Sequence, residues 1–434
     1  MTRFISQPGG HISGELRVPG DKSISHRSIM LSAIADGRSQ IDGFLCGEDS
    51  LNTMRAFQKM GVAIEYQAEQ VIVQGIGKLG LEAPKNDIDL GNSGTAMRLM
   101  LGLLSGQAFD SCLIGDESLS SRPMSRVIDP LAAMGARIDS RSDGTAPLLI
   151  RGGQKLSAIE YDMPVASAQV KSCILLAGLY ASGEIVIREP APTRNHSERM
   201  LRSFGVDISI DGNEIRMQGG QPLQACDIDV PADISSAAFF MVAASIAPGS
   251  DICLRHVGLN PTRTGVIDIL KLMGADIRID NEREVGGEPV ADVIVSHAPL
   301  QGIEIPRELV PLAIDEFPVL FVAAACAEGK TQLRGAEELR VKESDRIQVM
   351  ADGLAALGID AQPTDDGIDI VGGVLQGGVV DSHGDHRIAM AFSVAALRAR
   401  NEICIDNCSN VNTSFPGFVK LARQSGIRIT SSGG

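Results

Sequence analysis

The sequence predicts an α/β protein of two domains, each made of three copies of a strand–helix–strand–helix unit that runs on into further strand. Three observations carry this. A helix-ending tag recurs six times, at Met60-Gly61-Val62, Met134-Gly135-Ala136, Phe204-Gly205-Val206, Met273-Gly274-Ala275, Leu357-Gly358-Ile359 and Ser425-Gly426-Ile427, about 70 residues apart with one longer interval. That period exceeds the roughly 20 to 50 residues of solenoids, so each copy is a small folding unit. Ahead of each tag stands a helix rich in small apolar residues, and polar residues recur at the starts of those helices.

In chain order, Glu15 to Val18 reads as a strand that Pro19-Gly20 breaks. A helix follows from Lys22, its apolar side supplied by Ile24, Ile29, Met30, Leu31, Ala33 and Ile34, and it stops at Asp36-Gly37. Equivalent first helices are predicted at Asn92-Ser93-Gly94-Thr95, Ala166-Ser167-Ala168-Gln169, Asp233-Ile234-Ser235-Ser236, near Asp315, and at Asp385-His386-Arg387. Runs such as Ala237 to Ala247 and Val319 to Ala325 are apolar nearly all round, which predicts burial inside each domain. Amphipathic second helices are predicted from Gly47-Glu48-Asp49-Ser50, Ser120-Ser121-Arg122-Pro123, Thr193-Arg194-Asn195-His196, Pro261-Thr262-Arg263, Val341-Lys342-Glu343-Ser344 and near Asn412-Thr413-Ser414, to lie against the sheets. The strand of residues 3–18 returns to the last three units. The domains are therefore 1–19 with 234–434, and 20–233 inserted, hinged at chain crossings near Pro19 and Asp233. Helices packed in one direction expose their N-termini on one face, so two such domains can close those faces over a ligand.

Composition excludes several classes. A chain of 434 residues, 44% hydrophobic and 21% charged, suits a soluble enzyme of two or three domains. A formal charge of −15 with three Tyr and no Trp argues against a nucleic-acid surface. Met1 to Gly14 has no apolar run of signal-peptide length, and Ala237 to Ala247 is too short to span a bilayer, so a cytoplasmic protein without a membrane partner is expected. Eight cysteines lack metal-ligand spacing and are expected to be buried, reduced thiols. Against this acidic background the stretch Pro19 to Ser28 concentrates basic and hydroxyl groups. Lys22 sits at a helix start, and Ser23 and Arg27 share a face four residues apart. Cations at a helix N-terminus are unfavourable by roughly 0.3 to 1 kcal/mol each unless an anion binds, which points to a phosphorylated or carboxylated substrate.

Six motifs then carry a resemblance that spans essentially the whole chain. Gly20-Asp21-Lys22-Ser23-Ile24-Ser25-His26-Arg27, Gly91-Asn92-Ser93-Gly94-Thr95-Ala96-Met97-Arg98, Arg122-Pro123-Met124, Ser167-Ala168-Gln169-Val170-Lys171-Ser172, Arg340-Val341-Lys342-Glu343-Ser344-Asp345-Arg346 and Asp385-His386-Arg387 resemble, in order, the enolpyruvyl transferase family. The resemblance implies the family's inside-out α/β barrel, two domains each of three βαβαββ-type units. It implies transfer of the enolpyruvyl group of phosphoenolpyruvate to the 5-hydroxyl of shikimate 3-phosphate, with release of phosphate, in the pathway to aromatic amino acids. It assigns Lys22 to both substrates. Ser23, Arg27, Ser167, Ala168, Gln169, Arg194, Asp315 and Lys342 fall to shikimate 3-phosphate, and Gly94, Arg122, Gln169, Arg346 and Arg387 to phosphoenolpyruvate. Guanidinium forks match carboxylate and phosphate oxygens two at a time. Asp315 resembles the family's base at the hydroxyl, and Glu343 its proton donor. No metal and no organic cofactor is implied, since Lys and Arg groups carry the charge stabilisation. A monomer is expected.

Thr413 stands where some members have lysine, and Ser167-Ala168-Gln169 replaces the commoner Ser-Ser-Gln; with Arg194, both look like the subgroup called class II. His26 reads as structural, and His386 equally as scaffold or catalytic. Arg98 reads equally as a ligand contact or a helix-surface ion pair, Arg263 is left out of the site, and Glu48-Asp49 fits an ordinary acidic helix start. Glyphosate, the family's inhibitor, occupies the phosphoenolpyruvate place, and some tolerant relatives have alanine where this chain has Gly94. Two other functions compete. Transfer to UDP-N-acetylglucosamine would suit a cysteine in the loop Gly115 to Arg126, which has none. A non-catalytic phosphate-ligand binder gains nothing from carboxylates such as Asp315 and Glu343 among its cations.

Overall fold

Five of the six small apolar helices begin where a polar side chain replaces a missing backbone partner. In the computed structural model, which describes residues 2–67 and 69–432, Asp21 caps Lys22–Ile34, Ser93 caps Gly94–Leu104 and Ser167 caps Ala168–Gly178. Asp233 caps Ile234–Ile246 and Asp385 caps His386–Ala395. Each such cap is worth about 1 kcal/mol against alanine. Phe317–Cys326 instead starts with proline in its first turn, where an N–H would be orphaned anyway. Every residue of Ile234–Ile246 is buried.

The chain divides into two units. One comprises Met1–Pro19, Pro231–Arg283 and Pro289–Gly434, and the other Gly20–Val230 with Glu284–Glu288. Each holds three of the six small helices around its own apolar cluster. Within Gly20–Val230, Gln169 bonds Thr95 near the helix starts, and further along a Cβ on Gly102 would lie 2.1 Å from the Cys173 carbonyl oxygen. Gly94–Leu104 and Ala168–Gly178 therefore run in the same direction, with backbones in close approach. His26 reaches Ser93 and Arg27 reaches Ser172, so the start of Lys22–Ile34 joins theirs. In the other unit Ser235 bonds Glu316, and Arg387 donates to the Asp315 carbonyl, which gathers the starts of Ile234–Ile246, Phe317–Cys326 and His386–Ala395.

Six small sheets cover these helices. The second shows the pattern: Ile88–Asp89 pairs parallel with Ser111–Ile114, which pairs antiparallel with Leu148–Arg151, and that with Arg137–Asp139. The N-terminal residues supply two strands. Arg3–Ser6 lies between Ile403–Asp406 and Ile429–Ser432, and Ser13–Leu16 pairs parallel with Asp251–Gly258. The strand read over Glu15 to Val18 is thus shifted toward the N-terminus. Phe4, Phe239, Phe240, Phe415 and Phe418 form an aromatic cluster, Phe415 and Phe418 edge-on at 5.4 Å between ring centroids, which ties the first strand to the last helices.

The second helices are Glu48–Lys59, Ser125–Ala133, His196–Ser203, Gly265–Leu272, Arg346–Ala356 and Phe418–Ser425. The six tag glycines have φ between 85° and 116°. At each, the following residue donates to the carbonyl five residues back, as Val62 does to Phe57 and Ile427 to Ala422. This is the Schellman closure, which only a left-handed residue completes. Four of these helices start later than the sequence suggests, because the polar runs before them form turns. Glu117–Ser120, Glu337–Val341 and Val411–Ser414 are separate short helices, and Asp345 is the residue that caps Arg346–Ala356. All eight cysteines are unpaired, but only Cys173 and Cys408 are buried, which corrects the expectation of buried thiols. Among the described residues no helix is long and apolar enough to cross a membrane.

Candidate active site

In the unit Gly20–Val230 the gathered helix starts carry a cationic face. Lys22 Nζ lies 3.4 Å from Asp49 Oδ2, and the Asp49 carboxylate is buried. Asp49 is thus more than an acidic helix start: it is Lys22's partner, while Glu48 pairs outward with Arg55. Arg27 is buried and held at three points. Its Nε donates to Ser197 Oγ at 2.7 Å, Nη2 to Ser172 Oγ at 2.8 Å and Nη1 to the Ser23 carbonyl at 2.9 Å. Burial pushes its pKa down to about 10, and the carboxylates of Glu198 and Asp21 oppose that. His26 bonds Thr53 through Nδ1 at 2.8 Å, and burial, with Lys22 and Arg27 nearby, pushes it down to about 3. It is a neutral scaffold group at physiological pH.

Around Gly94 the geometry is tight. Arg122 Nη2 donates to Asn92 Oδ1 at 2.8 Å and Arg98 Nη1 to Gln169 Oε1 at 2.8 Å, while Gln169 Nε2 donates to Thr95 Oγ1 at 3.0 Å. Arg98 and Thr95 together set which way the Gln169 amide points. A Cβ on Gly94 would stand 3.0 Å from Arg98 Nη1 and 3.3 Å from Arg122 Nη1. Ser167 uses its hydroxyl as a cap, and Ala168 offers its carbonyl to Ser172. Arg194 lies half-buried in the irregular segment before His196–Ser203.

The other unit assembles carboxylates among cations. Asp315 has Arg346 Nη1 at 3.5 Å, Lys342 Nζ at 3.6 Å and Arg387 Nη2 at 3.9 Å, near enough for charge attraction but too far for good hydrogen bonds. Arg346 is buried, bonded to Asp385 at 2.8 Å and to Glu343 at 2.6 Å. Burial alone would lower its pKa, but Asp385, Glu343 and Asp315 outweigh that and hold it above its ordinary value. Lys342 and Glu343 sit in the bend between Glu337–Val341 and Arg346–Ala356, not at a helix start. Arg263 bonds Ser235 at 2.6 Å and pairs with Asp233 at 3.2 Å, deep in its own unit. Thr413 donates to the Asn410 carbonyl. Among the described residues no group of three or more His, Cys, Asp or Glu is arranged to hold a metal ion.

The family model described as EPSP synthase (3-phosphoshikimate 1-carboxyvinyltransferase) matches residues 6–421. The chain belongs to the EPSP synthase family. A 3-phosphoshikimate 1-carboxyvinyltransferase of Alkalilimnicola ehrlichii is 65% identical over 98% of this chain and 96% of its own length. One of Methylococcus capsulatus is 63% identical over 99% of this chain and 98% of its own. An EPSP synthase structure from Acinetobacter baumannii, 55% identical, superposes over 100% of both chains with a TM-score of 0.92. The enolpyruvyl transferase NikO of Streptomyces tendae, 18% identical, has the same fold over 99% of both chains, with a TM-score of 0.79. The α/β architecture with six small mixed sheets is therefore the EPSP synthase fold. Asp49, Asn92 and Arg98 hold Lys22, Arg122 and Gln169; Asn92 and Arg98 lie inside the motif Gly91 to Arg98, whereas Asp49 lies outside every motif.

Proposed function

We propose that this enzyme transfers the enolpyruvyl group of phosphoenolpyruvate to the 5-hydroxyl of shikimate 3-phosphate and releases phosphate. One observation carries the reading: Asp315 and Glu343 are carboxylates set among Lys342, Arg346 and Arg387, an arrangement proton transfer between anionic substrates requires and anion binding alone does not. Membership of the family supplies the substrates. The hydroxyl oxygen attacks C2 of phosphoenolpyruvate as Asp315 takes its proton, and Glu343 delivers a proton to the methylene carbon, making a methyl group. Return of a methyl proton to Glu343 then restores the double bond as the C–O bond to phosphate breaks, and the proton held by Asp315 leaves with phosphate. Lys22, Arg122, Arg346 and Arg387 offset the charge of phosphoenolpyruvate, with Gly94 and Gln169 beside it. Ser23, Arg27, Ser167, Ala168, Gln169, Arg194 and Lys342 hold shikimate 3-phosphate. Fixed cations suffice for this charge stabilisation, so the reading calls for no metal or organic cofactor. Unpaired thiols suit a cytoplasmic setting.

Phosphate release measured with phosphoenolpyruvate and shikimate 3-phosphate tests the reading, with UDP-N-acetylglucosamine as the control acceptor. Release is expected only with shikimate 3-phosphate; release with the nucleotide sugar alone would move the chain to the other acceptor.

A further inference from the structure

Behind Arg27 and Arg194 lies a buried charge cluster that the reaction does not use. Lys171 Nζ is 2.7 Å from Glu198 Oε1 and 2.9 Å from Glu189 Oε2, and the three side chains are 1%, 1% and 5% exposed. Its remaining donor reaches the Thr193 carbonyl at 3.4 Å. The Thr193 hydroxyl in turn donates to Glu189 Oε1. An ammonium has three N–H donors, so Lys171 is saturated by these three acceptors. All of them lie on the segment 189–198, which carries Arg194 and also Ser197, the residue holding Arg27 Nε.

We propose that Lys171, clamped by Glu189 and Glu198, is a positioning residue that fixes the segment carrying Arg194 so that its guanidinium stands beside Arg27, and thereby sets affinity for the phosphate group of shikimate 3-phosphate. The inference rests on the assignment of Arg27 and Arg194 to that substrate. Lys171 has its three N–H donors engaged within the cluster, which leaves none for the substrate. Two neighbouring guanidinium groups repel one another while the site holds no anion. Glu198 works to raise the Arg27 pKa while Arg194 works to lower it. The cluster therefore offsets the repulsion and keeps both cations ready for a dianion. Thr193 is the link between the cluster and the backbone next to Arg194.

Because Lys171→Met would strand two buried carboxylates and threaten the fold, the test uses Thr193. Binding of shikimate 3-phosphate and of shikimate, which lacks the phosphate, is measured by calorimetry on the full chain. Thr193→Val is expected to lower the preference for shikimate 3-phosphate over shikimate about tenfold, the scale of weakening one charge-assisted hydrogen bond. Thr193→Ser, which keeps the hydroxyl, is expected to retain the preference. In an Arg194→Ala background the Thr193→Val change is expected to disappear, since both act on one contact. An unchanged preference in Thr193→Val, or an equal loss of affinity for both ligands, overturns the inference. A wild-type protein with no preference for the phosphorylated ligand overturns instead the substrate assignment beneath it.

Discussion

Glu343 is 26% exposed and bonded to Arg346, which places its carboxyl where it meets both solvent and a fixed cation. Glu343→Gln is expected to keep substrate binding and to lower turnover by roughly 10² to 10⁴, the usual cost of removing a general acid–base group; near-normal phosphate release would remove Glu343 from the mechanism. At Gly94 the expectation is a shift in specificity. The methyl group of Gly94→Ala would push the heads of Arg98 and Arg122 by a few tenths of an ångström, so a longer inhibitor such as glyphosate should suffer more than phosphoenolpyruvate. The wild type is expected to be glyphosate-sensitive, and the inhibitor constant of the variant is expected to rise more than its KM for phosphoenolpyruvate; a wild type that resists the inhibitor would contradict the first expectation. Equal proportional rises would contradict this. His26 gives a pH dependence. Its folded pKa of about 3 lies below the unfolded value of about 6.5, so the unfolded chain binds the extra proton between those limits. Its contribution to stability is therefore full above pH 6.5 and is lost as pH falls toward 3. Denaturant midpoints at pH 7 and pH 4.5 should differ less in His26→Gln than in wild type, if the fold survives the substitution.

The helices show what could be read at the scale of an element. Five of the tag glycines follow the residue that caps the helix and Gly426 follows the last helical residue directly; the left-handed φ of each follows from the Schellman closure alone, so the six helix ends were legible without tertiary information. The same holds for starts such as Asp21 and Ser93, where one polar residue stands before an apolar run. Second-helix starts were not legible in this way. Ser120-Ser121-Arg122-Pro123 and Val341-Lys342-Glu343-Ser344 offer several cap candidates in a row, and packing chooses among them. Cys46 and Cys404 similarly read as buried, yet Cys46 lies in the loop before Glu48–Lys59 and Cys404 alternates with the buried Ile403 and Ile405 on an interior strand, so which face is covered is decided only by the assembled sheet. Glu48 and Asp49 do stand in the first turn of their helix, as expected of acidic residues there, and the burial of Asp49 beside Lys22 comes from the neighbouring helix, which local sequence does not display. The tags also give a clean stability test. Gly205 has φ of 85°, and a Cβ there would meet no atom nearer than 4.0 Å, so Gly205→Ala should lose about 1 to 2 kcal/mol from backbone strain alone. A denaturant midpoint equal to wild type would show that this helix end tolerates rearrangement.

At the scale of the molecule, each unit carries a residue whose proposed role can be tested by itself, Arg27 in Gly20–Val230 and Lys342 in Pro289–Gly434. Both Arg27→Ala and Lys342→Ala should weaken binding of shikimate 3-phosphate, each by about tenfold or more, as charge-assisted contacts do. Calorimetry showing normal affinity in either variant would remove that residue from the proposed binding set. The proton traffic is the core of the account, since it is what distinguishes this chemistry from displacement at phosphorus. The reaction run in D2O and followed by NMR tests it directly. Delivery of a solvent-derived proton to the methylene carbon, then loss of one methyl proton, predicts deuterium in the enolpyruvyl methylene of the product. A product that carries only protium at that carbon would contradict the account.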